Sequence, residues 1–80
     1  MDWKTENKKL VKEFELRNFK DAVSFVNQIM PLAEASEHHP DVLIHSYKKV
    51  KVMLFTHSEE KITEKDFSLA KQIDAVFSSR

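Results

Sequence analysis

The 80-residue chain contains no glycine and no cysteine, and only two prolines. Phosphate-cradling loops and dinucleotide fingerprints need glycine where backbone must approach the ligand closely, so glycine-rich nucleotide sites are excluded. Without cysteine there is no disulfide framework, no thiolate metal site and no cysteine nucleophile. An excess of one charge is lacking too, since 13 Lys and Arg balance 13 Asp and Glu. A nucleic-acid binder ordinarily carries a basic excess, so no nucleic-acid partner is expected. Near-zero net charge also removes one barrier to self-association. No apolar run approaches the ~20 residues of a membrane span, and the opening "MDWKTENKK" does not read as a signal peptide. A cytoplasmic protein with no membrane partner is the expectation.

Hydrophobic residues make up 41% of the chain and charged residues 32%, which suits one globular domain over residues 1–80. Trp3 to Thr5 and Leu10 to Leu16 read as the arms of a hairpin around Glu6 to Lys9, with Leu10, Phe14 and Leu16 on one side. The period then changes. Ala22, Phe25, Val26, Ile29, Met30 and Ala33 follow helical spacing, which makes one apolar face. Asn18 is placed to cap that helix, with Asp21 three residues on in the manner of a capping box. Pro31 inside the pattern should bend it, and Pro40 should end it near Glu37.

"DVLIHSY" and "VKVMLFTH" then read as two strands, rich in β-branched and aromatic residues and joined by a turn at Lys48 and Lys49. A second helix runs from about Glu64 to Phe77. Its inner face carries Leu69, Ala70, Ile73, Val76 and Phe77, with Thr63 as N-cap and Asp66 three residues on. The order β-β-α-β-β-α predicts an α+β fold, a four-stranded antiparallel sheet with two helices packed on one face.

With that turn, Tyr47 faces Val50 and His57 falls opposite Pro40, about 5 Å across the ladder. Three of the four histidines, His38, His39 and His57, then converge at one end of the hairpin. Glu34 precedes His38 by one helical turn, and Asp66 is near enough in sequence to join from the second helix. Each residue also has a plainer role. His38 suits the negative end of a helix, and the Thr63/Asp66 capping pair accounts for Asp66 without any catalytic role. His45, within a strand, reads as structural. Metal binding is not favoured, because adjacent histidine side chains diverge and no HExxH pattern is present.

The series Glu34-x-x-x-His38-His39-Pro40, Tyr47-x-x-Val50, Thr56-His57 and Ile62-Thr63-x-x-Asp66-Phe67 resembles the pterin-4a-carbinolamine dehydratase family. "FELRNFKDAVSFVNQIMPLAE" is similar to that family's aromatic strand and first helix, and Trp3 to its early tryptophan. The resemblance implies a dehydratase that converts 4a-hydroxytetrahydropterin to quinonoid dihydropterin and water, with no metal and no organic cofactor. It places His38, His39, His57, Glu34 and Asp66 in catalysis, and Glu37, His38, His39, Phe55, Thr56, His57 and Ser58 around the pterin. The segment "SEEKI" after His57 lacks the family's usual glycine. A non-enzymatic dimerisation or partner-binding module on the same scaffold is the competing expectation.

A homodimer or homotetramer is also expected. Leu43, Val50, Val52 and Leu54 would line one sheet face and Val42, Ile44, Met53 and Phe55 the other, and two helices can cover only one.

Overall fold

The computed structural model describes residues 2–80. Strands β1 (Lys4–Glu6), β2 (Lys9–Glu15), β3 (Asp41–His45) and β4 (Lys49–Leu54) form one antiparallel sheet in the order β1-β2-β4-β3. Helices α1 (Phe19–Ser36) and α2 (Glu64–Ser78) complete the expected ββαββα order. The first hairpin closes more tightly than expected. Its turn is Asn7-Lys8, both in the left-handed region at φ 52° and 66°, the geometry that matches the strand twist in two-residue hairpins.

Antiparallel pairing of Leu10 with Leu54, Lys12 with Val52 and Phe14 with Val50 puts these side chains on one sheet face. That face meets Ala22, Phe25 and Ile29 of α1 and Leu69, Ala70 and Ile73 of α2 in a single core cluster. Phe14 lies with its ring centroid 5.0 Å from both Phe25 and Phe77, so strand and helices share one aromatic centre. Lys12 occupies a core-side slot but escapes isolation, because its ammonium donates to Asp74 at 2.8 Å and Trp3 Nε1 donates to the same carboxylate at 3.0 Å.

Within α1, Ala22, Phe25, Ile29 and Ala33 are buried as their spacing requires. Met30 is not, being 59% exposed. It stands about 100° round the helix from Ile29, beyond the arc the sheet covers. Asn18 caps the start by accepting from the Asp21 amide at 2.9 Å. The Asp21 side chain does not return the bond, and Arg17 takes it at 2.7 Å. Pro31 lies inside a helix that continues to Ser36.

The second hairpin corrects the expected register. Asp41 pairs with Met53, Val42 with Val52, Ile44 with Val50 and His45 with Lys49. The turn is therefore Ser46 to Lys48, with Ser46 and Tyr47 left-handed at φ 50° and 51°, rather than Lys48-Lys49. Asp41 would have faced Thr56, so the pairing slides by three residues. An odd slip exchanges faces. Val42 and Ile44 join Val50, Val52 and Leu54 against the helices, and Leu43 moves to the outer face, where it is half exposed.

The outer face is consequently poor in apolar groups. Val11, Met53 and Leu43 are set among the ion pairs Lys51–Glu6, Lys9–Asp41 and His45–Glu13. The expected second hydrophobic face does not exist in the form the sequence suggested. No helix among the described residues is long and apolar enough to cross a membrane.

Candidate active site

Helix α1 ends on a left-handed residue. Glu37 sits at φ 52° and ψ 38°, a conformation that costs a residue with a Cβ about 1 kcal/mol. The His38 amide closes the helix end by donating to the Ala33 carbonyl at 3.1 Å. This reversal parts the adjacent histidines. The His38 side chain turns inward and is 11% exposed, while that of His39 turns outward and is 60% exposed.

Each histidine meets its own carboxylate. Glu34 was expected beside His38, but its Oε2 lies 2.6 Å from His39 Nε2, because the left-handed step carries His38 away from the α1 surface. His38 Nε2 instead lies 2.5 Å from Oδ1 of Asp66. Asp66 is fully buried at 0% exposure, which a carboxylate tolerates only when its oxygens are satisfied. Its Oδ2 accepts from the Thr56 hydroxyl at 2.8 Å and from the Thr63 amide at 2.9 Å.

The sequence offered capping and catalysis as rival roles for Asp66. The structure gives it a capping bond and a histidine contact at once. Thr63 and Asp66 form a capping box at the start of α2, while the other carboxylate oxygen is left for His38.

His57 does not sit where the expected register put it. The β3–β4 ladder ends at Asp41 and Met53, so His57 is not paired across from Pro40. It follows Thr56 in a loop closed by mutual bonds between Thr56 and Lys61, with backbone distances of 3.1 and 3.4 Å. This glycine-free loop takes its left-handed residue at Glu60, φ 54°. His57 is exposed and its ring lies edge-on to Phe55, centroids 5.1 Å apart. Asp66 thus links the two segments by binding His38 of one and Thr56 of the other.

Sequence reasoning missed the hydroxyl contact of 2.7 Å between Thr56 and Thr63. The T-x-x-D pattern was the only signal for it, and that pattern reads first as a helix cap. His45, expected to be structural, binds Glu13 on the outer sheet face.

A cavity of about 290 Å³ opens between the end of α1 and the start of α2, lined by Ser36, His38, Glu64, Lys65, Ser68, Leu69 and Gln72. A second, of about 350 Å³, borders Thr56, Glu59 and Thr63. His38 lines the first, but His39, Phe55, His57 and Ser58 line neither.

A larger cavity, about 760 Å³, lies at the far end of α2 and contains no histidine. There Arg17 and Arg80 flank Asp21. The hydrogen bond from Arg17, followed by the nearby positive charges, holds the Asp21 carboxyl below its usual range against the opposing effect of burial. Among the described residues no group of three or more His, Asp or Glu is placed to hold a metal ion.

A small α+β protein with a histidine held on a buried aspartate is what the fold and site define. The model of the pterin 4 alpha carbinolamine dehydratase family matches residues 1–76. The chain belongs to that family. A relative from Sulfolobus acidocaldarius, provisionally named a pterin-4-alpha-carbinolamine dehydratase, is 47% identical over 92% of this chain and 80% of its own. A relative from Trichodesmium erythraeum with the same provisional name is 47% identical over 94% of this chain and 80% of its own.

Among solved structures, a transcriptional coactivator/pterin dehydratase from Brucella melitensis superposes with a TM-score of 0.85 at 32% identity, covering 92% of this chain and 80% of that one. A pterin dehydratase-like protein identified as a RuBisCO assembly factor in the alpha-carboxysome shares the fold, with a TM-score of 0.78 at 20% identity over 95% of this chain and 89% of that one.

Proposed function

We propose that the protein is a pterin-4a-carbinolamine dehydratase, eliminating water from 4a-hydroxytetrahydropterin to give quinonoid dihydropterin. The observation that carries this reading is His38 seated on the fully buried Asp66, in a chain of that family. The reaction breaks the C4a–O bond, forms the C4a=N5 double bond and needs two proton transfers. One proton goes to the leaving oxygen and one comes from N5. Imidazoles titrate near ~6.5 in the absence of perturbation, so the residue type can act as donor or acceptor at neutral pH.

His38 and His57 take the acid and base roles in this reading, and His39, oriented by Glu34, binds and aligns the pterin. Glu37, Phe55 and Ser58 border the substrate. The chemistry requires no metal or organic cofactor.

Protein-dependent loss of 4a-hydroxytetrahydropterin, followed by absorbance, tests the proposal directly. A rate no higher than uncatalysed dehydration would sink it.

Partner binding without catalysis is the second reading, favoured by the Brucella structure's description as a coactivator as well as a dehydratase. Fluorescence quenching separates the two. Titrating the protein with a reduced pterin should give saturable quenching that is weakened in His39→Ala. A flat titration would favour the partner-binding reading.

Self-association belongs to the proposal as well, as a homodimer or homotetramer. Its support has moved from the outer face to the sheet edge. Strand β3 is an unpaired edge of five residues, "DVLIH", without lysine or proline, and such an edge is a template for a second chain. Sedimentation velocity should show a species at least twice the 9.4 kDa of the chain. A monomer that persists with rising concentration would contradict this.

A further inference from the structure

The Thr56 side chain is buried, at 3% exposure, and its hydroxyl is engaged by Asp66 and Thr63 rather than turned toward a ligand. We propose that Thr56 and Thr63 are positioning residues, a two-hydroxyl chain that orients Asp66 so that His38 carries its proton on Nε2 and presents Nδ1 to the substrate. The inference rests on the dehydratase reading for its catalytic meaning, but its structural content stands apart from it.

Donor accounting fixes the direction of the chain. The Thr63 amide can only donate, and it donates to Asp66 Oδ2. Two hydroxyl hydrogens remain for two contacts, Thr56 to Asp66 and Thr56 to Thr63. Only one assignment uses both hydrogens internally, with Thr63 donating to Thr56 and Thr56 donating to Asp66. The reverse leaves the Thr63 hydrogen without a partner among these groups and requires a proton on Oδ2, where the Thr63 amide already points. Thr63 Oγ1 can still accept the Lys65 amide at 3.3 Å.

Asp66 therefore acts as an acceptor at Oδ2, and in the proposed arrangement it is ionised and accepts at Oδ1 too. His38 Nε2, 2.5 Å from Oδ1, must then hold the hydrogen. The second ring nitrogen, Nδ1, is the one left for chemistry. This follows the general rule that the bond made by one imidazole nitrogen sets the state of the other.

The His38 tautomer tests the idea without any pterin. Two-bond ¹H–¹⁵N correlation spectra of the whole protein, above the pH at which its imidazoles are charged, should show His38 protonated on Nε2. Thr56→Val removes one donor from Oδ2 in a nearly isosteric way and lets the carboxylate rotate away from Nε2, so that His38 should then populate both tautomers. Thr56→Ser, which restores the hydroxyl, should restore the single tautomer. Should the valine variant not fold, Thr56→Cys, a weak donor, replaces it.

In turnover, Thr56→Val should lower kcat about 10-fold, the scale of one lost hydrogen bond to a charged group, with KM nearly unchanged and serine rescuing the rate. A wild-type His38 protonated on Nδ1 would overturn the proposal, as would a folded Thr56→Val variant with the tautomer unmoved. The expected tautomers in a protein with no dehydratase activity would support the positioning chain and strike only the functional reading.

Discussion

Replacing His38 or His57 with alanine is expected to lower kcat by roughly 10²–10⁴-fold, the range a positioned proton-transfer group contributes when nothing bypasses it. The two variants differ in their structural cost. His57 is exposed and its ring meets Phe55 edge-on, so His57→Ala should retain the wild-type melting temperature. His38→Ala strips the partner from Asp66 Oδ1 in a fully buried position. Leaving a buried acceptor unsatisfied costs about 1–3 kcal/mol, so this variant should melt lower as well as turn over more slowly. Water entering from the adjacent 290 Å³ cavity would moderate the thermal shift without restoring the proton transfer.

His39→Ala, by contrast, should chiefly raise KM, since the proposed role of His39 is to bind substrate and transition state alike. The dehydration also proceeds uncatalysed, so each rate is compared after the background has been subtracted. Full turnover above background in both His38→Ala and His57→Ala, with the fold intact, would show that these histidines do not carry the reaction.

The sequence made the element order legible because its two periods are clean. Alternation at Leu10 and Phe14 gives a half-buried strand, and Phe25, Ile29 and Ala33 give a helix face, with Asn18 and Thr63 marking the helix starts. The second hairpin was less legible. Its register depends on which residues accept a left-handed turn, and without glycine or an Asn-Gly pair nothing local singled out Ser46 and Tyr47 over Lys48 and Lys49. Burial supplied the missing constraint, since the observed pairing, unlike the expected one, puts Val42 and Ile44 on the same face as Val50 and Val52.

The candidate site shows the same division. Glu34, His38, His39 and Asp66 could be picked out as residue types at characteristic spacings, yet their pairing could not. The left-handed Glu37 decides it by sending His38 to Asp66 and His39 to Glu34. A single backbone dihedral at a helix end has no periodicity to betray it. Thr56 was similarly hidden, because a threonine beside a histidine gives no sign that its hydroxyl turns inward to a carboxylate ten residues later.

Asp66→Asn is expected to lower kcat by roughly 10²-fold while leaving the fold largely in place. The amide has one oxygen and one NH₂ where the carboxylate had two acceptors. If the oxygen stays toward His38, the NH₂ confronts the Thr63 amide, donor against donor, and the capping bond at 2.9 Å is lost. If the amide turns over, its oxygen keeps the Thr56 and Thr63 donors and its NH₂ faces His38 Nε2. The second arrangement preserves the helix cap, so it should prevail. Its cost is the tautomer, because His38 must then accept at Nε2 and carry its hydrogen on Nδ1. A base blocked in this way, or an acid presenting the wrong nitrogen, accounts for the rate loss, while the exchange of one charged hydrogen bond for a neutral one should cost about 1 kcal/mol. For a domain of this size that corresponds to a melting point lower by roughly 4–8 °C. Calorimetry and steady-state turnover on the same preparation separate the roles. A thermal shift with unchanged kcat would make Asp66 a helix cap and nothing more, and the buried carboxylate would then have no part in the chemistry of His38.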